Sequence, residues 1–94
     1  MTEAVATIST PHGAALLQAL CAHWSRRLEA EYDAQRGRVN FDYAAAHFEA
    51  TPHALRVMLA APDRVALARL RRRFTTRLRK LAAREPLTLD WCVA

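Results

Sequence analysis

The sequence predicts an α+β fold. It is a two-layer sandwich, one antiparallel sheet with two helices on one face, in the order β-α-β-β-β-β-α-β. Three observations predict it. The apolar period is 3.6 near residues 11–27 and 62–84, and 2 in the stretches around and between them. The period-2 stretches have one apolar and one polar face, and each helical stretch has a single apolar stripe, so the helices and the sheet cover one another. The links between the central strands are short and made of turn residues, as in an antiparallel meander.

Residues 4–10 read Ala-Val-Ala-Thr-Ile-Ser-Thr, β-branched at alternate positions, and form a strand. Thr10-Pro11 then supplies an N-cap hydroxyl and a proline at the first helical position. Leu16, Leu17, Leu20 and Trp24 mark the buried stripe of a helix over 11–27. Four short strands follow. Their inward positions are Leu28, Ala30 and Tyr32, then Val39, Phe41 and Tyr43, then Ala46, Phe48 and Ala50, then Leu55, Val57 and Leu59. Gln35-Arg36-Gly37 is expected to turn the chain, with Gly37 free to adopt positive φ, and Thr51-Pro52-His53 to turn it again. Pro62 and Asp63 open the second helix, over 62–84, with Leu67, Leu70, Phe74, Leu78 and Leu81 as its stripe. Pro86 stops it, and Leu87, Leu89 and Trp91 alternate as a last strand.

With 94 residues the chain is expected to be one domain spanning 1–94. Two glycines are too few for a dinucleotide fingerprint or a Walker A loop. Cys21 and Cys92 form no CxxC pair, so a zinc ribbon or a thioredoxin-like site is excluded, and two reduced thiols are expected, with one long-range disulfide as the alternative. No span is apolar enough for a membrane helix. Glu3 near the start and no Arg or Lys before Arg26 are unlike a signal or transit peptide, which makes the cytoplasm the expected location.

The net charge of +5 is unevenly distributed. Between Pro62 and Arg84 nine basic residues face one acid, Asp63, giving +8 there and 5 − 8 = −3 elsewhere. Helical projection puts Arg69, Arg72, Arg73, Arg77, Arg79, Lys80 and Arg84 opposite the leucine stripe, a surface suited to nucleic acid or another polyanion. Two observations weigh against nucleic acid. That face has no aromatic residue on which bases would stack. The 13 arginines against one lysine, with 20 alanines, are also what a GC-rich genome would give without selection for binding.

His12, Cys21 and His23 are ligand types, but Cys21 and His23 point to opposite sides of a helix. His12 and His23 stand about 16 Å apart along it, so no metal site is read from them. The open sheet face would carry Glu29, Glu31, Asp33, Arg38, Asn40, Asp42, His47, Glu49, Arg56, Met58 and Asp90. Asp42, Glu49 and Asp90 near His47 would suit acid–base work or a hard cation, set against the plainer reading of a solvated face. Ser9 and Ser25 lie in no nucleophile elbow. A non-enzymatic domain without a cofactor is therefore expected.

Ser9-Thr10-Pro11-His12, Leu20-Cys21-Ala22-His23-Trp24, Gly37-Arg38-Val39-Asn40-Phe41, Arg84-Glu85-Pro86-Leu87 and Leu89-Asp90-Trp91 resemble the motif blocks of the bacterial domain of unknown function 2218. The motif positions are Thr10, His12, Cys21, His23, Trp24, Gly37, Asp90 and Trp91. The resemblance implies a small domain that also occurs fused to siderophore-interacting flavoproteins. It therefore implies an accessory ligand-binding role in siderophore or iron handling, with such a flavoprotein as partner. It supplies no catalytic residues. His12, His23, Trp24 and Asp90 are the candidate ligand-binding residues, and the basic residues of the second helix are the alternative, a polyanion surface.

A further alternative is a structural or interaction module that forms a homodimer. A basic helix back against a mostly acidic sheet face would build open chains of molecules rather than closed pairs. A monomer or a weak symmetric dimer is expected instead. Its contact would be the Ala14, Ala15, Ala19 and Ala22 side of the first helix, or residues 4–10 as an edge strand.

Overall fold

The computed structural model describes residues 2–41 and 43–81, and the backbone of 90–93. The elements follow the expected order: β1 (Thr2–Ser9), α1 (Gly13–Trp24), β2 (Glu29–Tyr32), β3 (Arg36–Phe41), β4 (Ala44–Ala50), β5 (Ala54–Ala61), α2 (Arg64–Leu81) and β6 (Asp90–Val93). Among the described residues the strands form one six-stranded sheet, ordered β2-β3-β4-β5-β1-β6 and antiparallel at every neighbouring pair. From β2 to β5 the chain is a meander. β1 then inserts between β5 and β6, which makes β5-α2-β6 a split β-α-β unit. The expected edge strand over 4–10 is thus an internal strand, hydrogen-bonded on both sides, and offers no edge to a partner.

Both helices cover the same face. Ala4, Ala6 and Ile8 of β1, Val39 and Phe41 of β3, Ala46 and Phe48 of β4, and Leu55, Val57, Leu59 and Ala61 of β5 are buried, while their strand neighbours point the other way. α1 lies over β2 to β5, and α2 over β5, β1 and β4. Leu16, Leu17, Leu20, Cys21 and Trp24 of α1 meet Leu67, Leu70, Phe74 and Leu78 of α2 in one core.

The element ends differ from the sequence reading for local reasons. α1 begins at Gly13 rather than at Pro11. Thr10 is buried and caps a turn, not the helix: its Oγ1 accepts from His12 N at 3.1 Å, and its own N–H donates to the His53 carbonyl at 3.0 Å. A Cβ on Gly13 would stand 2.8 Å from the Ala54 carbonyl oxygen, so the glycine lets the helix start press against β5. α1 stops at Trp24, where the Leu28 N–H bonds the Trp24 carbonyl and turns the chain into β2.

Gly37 is not in a turn. It is a buried residue of β3, and no described residue has positive φ. The turn is made by Asp33, whose Oδ1 accepts from the Gln35 and Arg36 N–H groups at 2.7 and 2.8 Å. At α2, Pro62 precedes the helix and Asp63 is its N-cap, with Oδ1 accepting from Ala66 N at 2.8 Å. Leu81, assigned to the apolar stripe by its spacing, is exposed at the helix end. Asp42, and Arg84, Pro86, Leu87 and Leu89, lie outside the described residues.

Candidate functional site: a basic groove between the helices

The last turn of α1 and one flank of α2 enclose a groove of ≈ 390 Å³, lined by His23, Trp24, Arg69, Arg72, Arg73, Thr76 and Arg77. Helical geometry builds it. Arg69, Arg73 and Arg77 follow at intervals of four, each step drifting about 40° around the axis, so the three line one side. Relative to Phe74, the middle of the buried stripe, Arg77 and Arg73 lie only about 60° and 100° round. This corrects the placing of all the basic residues opposite the stripe. Arg73 and Arg77 sit on the flank that meets α1, and Arg77 is half-buried. Arg79, on the other flank, and Lys80, beyond the groove's end, do not line it. Arg84 lies outside the described residues.

The floor of the groove is aromatic and closed. Trp24 is 4% exposed. Its ring meets Phe41 edge-on at 5.3 Å, stacks on Phe48 at 6.4 Å and tilts against Phe74 at 6.3 Å. Trp24, singled out as a ligand contact, is therefore first a core residue whose edge reaches the groove. The Arg73 guanidinium stands 5.1 Å from the centroid of the Phe41 ring, a cation–π contact that holds one cation in place at the wall.

His23 lies at the end of α1, its ring 6.1 Å from that of Trp24. Its pKa is held below the ordinary imidazole value by partial desolvation, and then by the positive charges of Arg77, Arg26, Arg73 and Arg27. Arg26 and Arg27 are not among the site residues that the sequence points to. They lie in the turn that follows α1, close after His23 in the chain. Thr76 was also missed, because it sits among arginines and carries no charge.

The other candidates do not join this groove. His12 is the exposed residue before α1, about 16 Å up the helix axis from His23. Asp90 is placed by its backbone in β6, opposite Thr7, and its side chain lies outside the described residues. Cys21 is a fully buried free thiol, pushed up to about 11 by that burial, and is no nucleophile. Among the described residues no three His, Cys, Asp or Glu side chains converge as metal ligands.

A larger concavity, ≈ 670 Å³, lies on the open sheet face, with Glu31, Arg36, Arg38, His47, Glu49, Arg56 and Met58 in its lining. Register explains its character. Glu31 is opposite Arg38, and Glu49 is opposite Arg36 on one side and Arg56 on the other. Acids and bases alternate across the strands, so among the described residues this face balances its own charge and is not mostly acidic. The imagined cluster of Glu49 and Asp90 at His47 is not assembled. β6 lies three strands from β4, about 14 Å away at ordinary strand spacing. The helix groove differs in kind, since among the described residues its cations have no acidic neighbour in the lining.

No described helix is long and apolar enough to cross a membrane. No curated protein matches the chain. Among solved structures it is similar to the NMR structure of PA4090 from Pseudomonas aeruginosa, with 26% identity and a TM-score of 0.82 over 98% of this chain and 96% of that one. Residues 5–92 match the family described as an uncharacterized protein conserved in bacteria, and the chain belongs to that family, DUF2218.

Proposed function

We propose that this domain is a non-enzymatic binding module that takes an anionic ligand in the groove between α1 and α2. The carrying observation is that Arg69, Arg72, Arg73 and Arg77 share one concave site with His23 and, among the described residues, with no acidic side chain. Like charges gathered in a concavity focus the field and favour a ligand of opposite sign. Guanidinium forks and the Thr76 hydroxyl are donors suited to carboxylate or phosphate oxygens.

The siderophore-linked role implied by the resemblance is the narrower form of this proposal. Ferric chelates with catecholate or carboxylate donors are anions, which agrees with the sign of the groove, and the partner would then be a siderophore-interacting flavoprotein. Nucleic acid fits less well. The Trp24 ring is covered by Phe41, Phe48 and Phe74 and presents no stacking face.

An NMR titration of the full chain tests the reading. The probes are tripolyphosphate, a gallium(III) tris-catecholate as a diamagnetic stand-in for the ferric chelate, and a short oligonucleotide. Shifts centred on His23, Arg73, Thr76 and Arg77 with at least one compact anion are expected. Shifts elsewhere, or none with any probe, overturn it.

A further inference from the structure

Resting on that reading, we propose that the ligand carries a terminal phosphate or linked phosphates, and that His23 contacts it in the protonated form, taking one proton from solvent as it binds. Three observations carry this. First, the groove is short. Arg69 to Arg77 spans about 12 Å of helix, room for two or three linked phosphates rather than a long strand. Second, its donors are guanidinium N–H groups, a hydroxyl and an imidazole, while the one aromatic residue in its lining is almost wholly covered. The site recognises oxygen-rich anions and has little flat apolar surface for a ring.

Third, His23 shares the groove lining with Arg73 and Arg77, and the charged groups that act on it among the described residues are all cations. Arg26 and Arg27 come from the turn after α1, and Arg73 and Arg77 from α2. In the free protein partial desolvation, and then these charges, disfavour the protonated imidazole. A ligand of charge −2 or more, seated among the same arginines, reverses the local sign. The ring nitrogen that was a lone-pair acceptor then gains H⁺ and becomes a second N–H donor to a phosphate oxygen. The ion taken up is one proton, no covalent bond of the ligand changes, and by linkage the affinity rises as the pH falls.

The experiment follows the His23 ring protons by NMR as the pH is varied, in the full chain with and without saturating tripolyphosphate. Bound ligand is expected to raise the His23 midpoint by about one pH unit or more, equivalent to about tenfold tighter binding to the protonated form. His23→Gln, checked for its native spectrum, is expected to bind tripolyphosphate several-fold more weakly at pH 6 than the wild type. If groove residues shift with tripolyphosphate but the His23 midpoint stays put, the proton-linked contact is overturned and the anion groove stands. If only the gallium chelate or the oligonucleotide shifts them, the phosphate class is overturned. If no anion does, both proposals fall.

Discussion

Gly37 lies under Cys21, so close that a Cβ at position 37 would stand 2.7 Å from the Cys21 Sγ, with Leu17 Cδ2 and Tyr32 Cβ each at 3.2 Å. The contact fixes how near α1 comes to β3. It gives Cys21 and Gly37 a shared packing role, and it explains a buried glycine in a strand interior, where glycine otherwise weakens the sheet.

Gly37→Ala is therefore expected to destabilise the domain by about 1–3 kcal/mol through overpacking. The clash is chiefly with a side-chain atom, so Cys21→Ala should relieve part of it. Urea unfolding of the two single variants and the double variant measures this. The alanine at 37 should cost less in the Cys21→Ala background, by an interaction energy of about 0.5 kcal/mol or more. Additive costs would show that the two residues do not share the space.

Trp24→Ala is expected to cost about 3–5 kcal/mol, because it empties the centre of the Phe41, Phe48 and Phe74 cluster. Trp24→Phe should keep the fold. Loss of ligand binding in Trp24→Ala would therefore report unfolding, and thermal melts of both variants separate the two effects. A Trp24→Ala protein as stable as the wild type contradicts the core assignment.

The cap of α2 gives a smaller effect. Asp63→Ala removes the acceptor of the Ala66 N–H and is expected to cost about 0.5–2 kcal/mol. Asp63→Asn, which keeps an acceptor oxygen, should recover most of it. Equal losses in both variants would assign the stabilisation to the charge of Asp63 at the helix dipole instead of its hydrogen bond.

For stability against pH, His23 has the sign opposite to a histidine paired with an acid. Its folded pKa lies below the unfolded value near 6.5, so the unfolded chain binds more protons as the pH falls through that value. Stability should therefore drop between about pH 7.5 and 5.5, and His23→Gln should flatten that drop. Asp33, held low by the Gln35 and Arg36 N–H groups, acts at more acid pH: its contribution is present above the ordinary carboxylate value and is lost as the pH falls through its folded value. Urea midpoints of both proteins across this range check the His23 part. A wild type as stable at pH 5.5 as at 7.5 would contradict it.

The alternation of Val39 and Phe41, and of Leu55, Val57 and Leu59, together with the stripes Leu16–Leu17–Leu20–Trp24 and Leu67–Leu70–Phe74–Leu78, determined the elements, their order and the buried face. Period and polarity are local properties that burial has to satisfy. Strand neighbours were not legible in the same way. β1 was read as an edge and lies between β5 and β6, because which strand pairs with which is settled only when α1 and α2 carry the chain across the sheet. Gly37 reads as a turn residue in the sequence and is a spacer in the structure, as Gly13 is, a role that depends on Cys21 and Ala54 approaching from other elements. His23 and Trp24 in one helix and the groove's arginines in another are legible as types, whereas Thr76 is not. Only the tertiary structure put them in one site, because the angle at which α1 meets α2 decides which flank of α2 faces His23, and that angle is set by the side chains packed between the helices and the sheet.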